Sequence, residues 1–511
     1  MFIASSMRQL FKNKYERMKL RLKYIILAIS VAFTACGTES GIVTVPKNNS
    51  TDTTSTVNAA KIYLTSSDRS NELTLKSAAL LTGRPSGTYN SILLDTLTRY
   101  QTMDGFGAAI TGSTCYNLLR MTDAARHAFL LKTFSTSSGY GFSYVRVAIG
   151  CSDFSLSEYT CCDKEGIDNF ALTNEELNFV IPVMKEILAI NPAVKVMAAP
   201  WTAPRWMKVS QEGGSVAYNS WISGHVATKY YQDYATYFVK WIQAFQQNGI
   251  DIYAVTPQNE PLNGGNSAST LMTWKEQQAF VRDALGPKFA AAGLTTKIYA
   301  YDHNYDQYSY PLNIYQDAKA AAYIAGAAFH NYVGDKNMLN NVHAESSKGL
   351  LFTEASIGEW CDGRNLASRL MDDMNEVALG TVNNWCTGVI VWNLMLNTDK
   401  GPNRNGGCQS CYGAVDISSA NYTNIIKNSH YFIIAHLSAV VQPGAQRIAT
   451  TNGVMLTGVV TSAFLNPDGS YAVVLANNNT VSQTVTLNDG TRYFNFLCPG
   501  RSVASFTWKK H

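Results

Sequence analysis

Eight short apolar runs recur along the middle of this chain, each separated from the next by a longer stretch with helical periodicity. This alternation constrains the fold more than any other feature of the sequence. The runs fall at residues 105–110, 143–149, 195–201, 252–257, 297–303, 325–330, 349–355 and 387–396. Helical patterns lie between them, at 117–134, 174–190, 229–247, 273–289, 312–322, 339–347 and 365–384, and a further one at 424–440 follows the last run. Near-continuous apolar runs read as strands buried on both faces, which is the habit of parallel sheets. Eight strand–helix units predict an α/β fold, a (β/α)8 TIM barrel. An open, doubly wound sheet is the alternative, but no phosphate-cradling glycine loop opens any unit.

The pattern changes at about residue 440. Segments 454–460, 472–477, 483–487, 493–497 and 502–508 are short and strand-like, with Asn-Pro-Asp-Gly at 466–469 and Asn-Asp-Gly at 488–490 as turns. They predict an antiparallel β-sandwich. Residues 62–65, 72–75 and 78–81 have the same character and precede the barrel, so the sandwich is expected to draw on both termini. The expected organisation is a leader at 1–35, a Ser/Thr/Asn-rich tether at 36–58, sandwich strands at 59–99, the barrel at 100–440 and the rest of the sandwich at 441–511.

The leader decides how the charge is read. Formal net charge is +4, but seven basic residues and one acid fall in the first 35, leaving the remainder at −2. A nucleic-acid partner is therefore not expected. Lys19, Arg21 and Lys23 precede an apolar run at 24–33, the layout of an export signal that is short for a membrane span. The run ends in Phe33-Thr34-Ala35-Cys36, which resembles a bacterial lipobox with Cys36 as the lipidated residue. Ordinary signal cleavage nearby is the alternative, and Met7 and Met18 are alternative starts. Both readings place the protein outside the cytoplasm; the lipobox reading places it in a bacterial cell envelope, touching membrane only through its N-terminal lipid. Ten cysteines suit an oxidising compartment. Cys408-x-x-Cys411 lacks a second paired half, so it reads as a loop disulfide or free thiols rather than a zinc site.

Barrel enzymes place reactive groups at the carboxyl ends of strands. Asn259-Glu260-Pro261 follows the fourth run and Glu354 ends the seventh, two positions that face each other across a barrel mouth. A protonated carboxyl to feed the leaving oxygen and an ionised one to attack the anomeric carbon are what retaining glycoside hydrolysis needs. Arg146 in the second run can hold a carboxylate ionised or serve as a structural ion-pair partner. Trp201, Tyr332 and Trp392 can wall a sugar's C–H faces. Asn259 can bind a sugar 2-hydroxyl, and His330 ends the sixth run. Glu359, past the seventh run, competes with Glu354 but reads as a helix cap.

In sequence order these motifs resemble glycoside hydrolase family 30, the glucosylceramidase-like group. They are Asp104-Gly-Phe-Gly-Ala-Ala-Ile, Arg146-Val-Ala-Ile-Gly-Cys-Ser-Asp-Phe-Ser with Tyr159-Thr160, Ala199-Pro-Trp-Thr-Ala-Pro, Ala254-Val-Thr-Pro-Gln-Asn-Glu-Pro, His330-Asn-Tyr, Leu351-Phe-Thr-Glu-Ala, and Trp392-Asn-Leu-Met-Leu-Asn with Gly401-Pro402. The resemblance covers about residues 60–511. It implies a barrel joined to a sandwich from both termini, with no metal or cofactor. It also implies Glu260 as acid/base and Glu354 as nucleophile, with Arg146, Trp201, Asn259, His330, Tyr332 and Trp392 around the sugar. Where glucosylceramidases of the family carry an Asp shortly after Gly-Phe-Gly, this chain has Gly112. The expectation is that Gly112 opens room beside the sugar's O4 and O6, as an endo-β-1,6-glucanase, the branch it most resembles, would use. The resulting expectation is a monomeric, lipid-anchored, retaining enzyme acting on β-1,6-glucan. The alternatives are an exo-acting glucosylceramidase or β-glucosidase, or a non-catalytic glycan-binding lipoprotein.

Overall fold

The computed structural model of the chain describes residues 59–87 and 89–510. The leader, the tether and Cys36 lie outside the described residues.

All eight expected barrel strands form. They are β1 (Gly105–Ala108), β2 (Tyr144–Ala148), β3 (Lys195–Ala199), β4 (Ala254–Val255), β5 (Lys297–Asn304), β6 (Ile324–His330), β7 (Gly349–Glu354) and β8 (Cys386–Val391). From β2 to β8 each pairs in parallel with the next, and β8 pairs with β1. A bridge between Ala109 and Arg146 closes the ring between β1 and β2. A second layer of apolar side chains, including Tyr144, Met197, Ala254, Ala328, Leu351 and Ile390, fills the barrel interior. The barrel is thus a packed core rather than a channel.

Several expected single helices are broken in the structure. The segment expected at 117–134 is two helices, Gly112–Arg120 and Asp123–Phe134, because Thr122 caps a new helix by accepting from the Ala125 N–H. The segment expected at 312–322 also splits, where Asp317 accepts from Lys319 and Ala320 N–H and caps Ala318–Tyr323.

The sandwich is built from both ends of the chain. Ala59–Ser66 pairs antiparallel with Ser502–Lys509, placing Ile62 opposite Phe506. Its own core includes Ile62, Ile92, Val473, Leu487, Phe494, Phe506 and Trp508. Three details differ from the expectation. The segment at 454–460 is mostly a loop between strands Gln446–Asn452 and Val459–Leu465. Ser91–Thr102 forms a twelve-residue strand that the alternation did not disclose. That strand pairs in parallel with Gln483–Asn488, so the sandwich is not wholly antiparallel. Among the described residues, no helix is long and apolar enough to cross a membrane.

Candidate active site

Arg146 organises the barrel mouth. It projects inward from β2 with no solvent exposure, so its charge must be matched on the spot. Nη1 donates to Glu354 Oε2 at 2.6 Å. Nη2 donates to Asn259 Oδ1 at 2.7 Å and to Asp302 Oδ2 at 2.8 Å. One rigid guanidinium therefore ties the ends of β2, β4, β5 and β7 together, a task suited to its planar fork of donors. Its flat face lies over the Trp201 and Trp392 rings, at 4.9 and 5.5 Å from their centroids.

Glu354 ends β7, where it accepts from Arg146 on one oxygen and from the Tyr332 hydroxyl, at 2.9 Å, on the other. Donors on both oxygens orient and stabilise a carboxylate. Burial nonetheless raises its pKa above the ordinary range, against the pull of His330 and Arg146.

Glu260 follows β4 with a backbone φ of +43°, a region costly for a residue with a Cβ. Its N–H donates to the Asp302 carbonyl, and its Oε2 accepts from the Asn263 amide at 2.7 Å. His330 Nδ1 lies 3.2 Å from its other oxygen. Burial works to raise the Glu260 pKa, but the His330 hydrogen bond and charge, with help from His303 and Asn263, hold it at about 2. His330 is pushed the other way. Burial works to lower it, yet Glu354, Asp302 and Glu260 around the ring raise it to about 9.

Ligand-type atoms of Glu260, His330 and Glu354 lie within 4.8 Å of one another. Both Glu354 oxygens already accept hydrogen bonds and Arg146 supplies the positive charge beside them. The arrangement is that of a carboxylate pair rather than a metal cage.

All six expected sugar-contacting residues surround this centre, but not all in the expected manner. Trp201 and Trp392 stack on each other, with centroids 4.9 Å apart, and are only 1% and 2% exposed. They cover Arg146 more than they wall an open cleft. Tyr332 is the more open aromatic, at 41% exposed. Glu359 sits in a separate turn, Glu359–Cys361, and pairs with Lys400 at 2.7 Å, away from the trio.

The room expected beside Gly112 is already filled. A Cβ built on Gly112 would stand 1.8 Å from Glu175 Oε1. The glycine admits the Glu175 carboxyl, which is buried, pushed up to about 7 by that burial, and bonded by the Leu156 N–H.

Three site residues escape the sequence reading. Asp302, fully buried, accepts from Arg146, Thr256, Thr353 and His330. Asp153, in the loop after β2, has a buried Oδ1 with no hydrogen-bond partner, and burial with the nearby Glu354 charge lifts its pKa to about 8. Arg404 reaches in from the loop after β8 and donates to the carbonyls of Ser152 and Ser267, clasping three loops over the mouth. That loop also holds Cys408 and Cys411, which form a disulfide. For Asp153 the signal was present, inside the Cys-Ser-Asp-Phe-Ser motif at a strand's carboxyl end.

The chain matches the Glycosyl hydrolase family 30 TIM-barrel domain over residues 103–441 and the family's beta sandwich domain over 444–506. The protein belongs to glycosyl hydrolase family 30. It is a glycosidase. A solved structure titled "The endo-beta1,6-glucanase BT3312" is 60% identical, covers 88% of this chain and 99% of its own, and superposes with a TM-score of 0.87. The Endo-1,6-beta-D-glucanase neg1 of Aspergillus fumigatus is 32% identical over 80% of this chain and 85% of that protein. The Lysosomal acid glucosylceramidase of Mus musculus is 28% identical over 87% of this chain and 88% of that protein.

Proposed function

We propose that this family 30 glycosidase is a retaining endo-β-1,6-glucanase, exported and lipid-anchored through Cys36. The observation that carries the retaining mechanism is the spacing of the two glutamates, whose carboxylate oxygens approach within 4.8 Å. Retaining pairs stand about 5–5.5 Å apart, while inverting pairs need about 6.5–9.5 Å for a water. Glu354, oriented by Arg146 and Tyr332, attacks C1 as the C1–O bond breaks, and Glu260 protonates the departing oxygen. Glu260 then takes a proton from the water that displaces Glu354. The unpartnered Asp153 Oδ1 and the Asn259 amide offer hydrogen bonds to sugar hydroxyls during both steps.

The linkage rests on similarity to the endo-1,6-glucanases, above all the one that shares 60% of its residues with this chain. Incubating the mature protein with pustulan beside β-1,3- and β-1,4-glucans, xylan and glucosylceramide, and sizing the products over time, tests it. Early mixed β-1,6-linked oligosaccharides are expected. Glucose alone from the start would favour the exo-acting reading that similarity to the murine glucosylceramidase supports. Anchoring is tested separately. Cys36→Ser should release the protein from the membrane fraction, and unchanged fractionation would remove the lipobox reading.

A further inference from the structure

We propose that His330 stores the acid/base proton: in the free enzyme the proton that Glu260 delivers to the leaving oxygen rests on the His330 ring, between Glu260 and Asp302. The inference rests on the two-glutamate reading above and names the residue that supplies it.

Geometry leaves the ring one exchangeable position. Nε2 lies 3.2 Å from Asp302 Oδ1, and that same oxygen accepts from Thr353 Oγ1 at 2.6 Å. The other Asp302 oxygen accepts from Arg146 and Thr256. Asp302 is thereby held ionised, well below the usual carboxylate range: burial works against this, but the Arg146 charge and the His330 contacts override it. An ionised Asp302 keeps a hydrogen on Nε2, so only the Nδ1 proton can come and go. Nδ1 faces Glu260 Oε1 at 3.2 Å, and His330 is closed to solvent.

Charge balance favours a proton there. The ring is faced by Glu260 from the end of β4, Asp302 and His303 from β5, Glu354 from β7 and the Tyr332 ring from its own segment. Arg146 is the cation that pairs with Asp302 and Glu354. Three carboxylates against one guanidinium leave room for a second positive charge, and burial disfavours it on His303. Glu260, held low by the same contacts, is ionised at rest and does not itself hold the proton its role requires. The two groups titrate as a pair.

The cycle closes in protons and electrons. Substrate displaces water from Glu260, which disfavours its charge. The Nδ1–H bond breaks, the Glu260 O–H bond forms, and the imidazole becomes neutral. That proton passes to the glycosidic oxygen as the C1–O electron pair leaves with it and Glu354 bonds C1. In the second half a water oxygen bonds C1, Glu354 departs as carboxylate, Glu260 takes the water proton and returns it to Nδ1.

The test compares His330→Gln with the parent enzyme in the pH profile of kcat/KM, on pustulan and on 2,4-dinitrophenyl β-gentiobioside, whose leaving group needs no proton. The parent should keep its activity on pustulan up to about pH 9, where His330 titrates. His330→Gln should lose that alkaline limb and on the order of 10²-fold in rate on pustulan, with only a few-fold loss on the activated substrate. An unchanged alkaline limb, or equal losses on both substrates, would make His330 a strut for Glu260 and overturn the proposal. A second readout needs neither the variant nor a substrate. In the free enzyme, 15N-histidine NMR should show one ring that stays cationic at pH 7 and titrates near 9, and neutral rings throughout at pH 7 would refute the storage role. If pustulan is inert while this titration is present, the linkage fails and the proton store stands.

Discussion

The two ends of the barrel each hold a network of buried charge, and they are built to opposite rules. At the amino ends of the strands, Asp104 accepts from Lys195, from the Tyr253 hydroxyl at 2.7 Å and from Thr387 Oγ1 at 2.8 Å, while Lys297 donates to Tyr253 at 2.6 Å. This joins the segments that open β1, β3, β4, β5 and β8. Asp104 and Lys195 side chains keep 17% and 24% exposure. At the carboxyl ends, Arg146, Asp302 and His330 have none, and three carboxylates crowd one guanidinium and the His330 ring. The lower network pairs its one carboxylate with Lys195 and leaves its second lysine, Lys297, exposed to solvent. The upper one carries an unmatched negative charge and a proton with two possible homes. Surplus charge under burial is costly, and enzymes accept that cost where pKa values must be moved.

That contrast is open to test from either side. The largest effect is expected from Glu354→Gln, which should lower kcat by about 10³-fold or more while leaving the fold intact. Turnover near the parent's would remove Glu354 as nucleophile. Arg146→Met should cost about 3–5 kcal/mol, because it strands buried Asp302 and Glu354 without their cation. A thermal unfolding midpoint close to the parent's would mean that the upper network is not held by this residue.

Asp104→Asn breaks the lower network and should cost about 1–3 kcal/mol of stability, with kcat unchanged. Lys195 and the hydrogen bonds override burial to hold Asp104 below its ordinary pKa. Its contribution is therefore present above the unfolded value and lost as pH falls through the lowered one. The variant's deficit should shrink in acid, and a deficit constant down to that range, or a fall in kcat, would blur the distinction between the two ends. Gly112→Ala should cost a similar amount, about 1–3 kcal/mol of overpacking against Glu175, with the product pattern on pustulan unchanged. A change in product sizes would return Gly112 to the substrate site.

The comparison also shows what a sequence discloses. Glu260 and Glu354 were legible because each follows an apolar run at a strand's carboxyl end, and Asn-Glu-Pro adds a specific signature. Asp302 sits in the same kind of place but was hidden by local geometry. The β5–β6 pairing shifts register between Tyr301 and His303, and Tyr301 and Asp302 both take positive φ, near +75°. This bulge turns Asp302 into the site where simple alternation gives no such signal. The sandwich strand Ser91–Thr102 was hidden for another reason. Much of it faces solvent, with Leu97 93% exposed, and its pairing with Gln446–Asn452 shifts register twice, so no clean period of two survives. Gly112 was misread because the side chain that fills its space, Glu175, comes from another part of the chain.

Double displacement by Glu354 and Glu260 on β-1,6-glucan fixes the anomer that is released first. Proton NMR of the anomeric signals during the first minutes of pustulan hydrolysis tests it most directly. New reducing ends should appear as β-anomers on oligosaccharides and reach the α/β equilibrium only later. Reducing ends that appear first as α-anomers would contradict it.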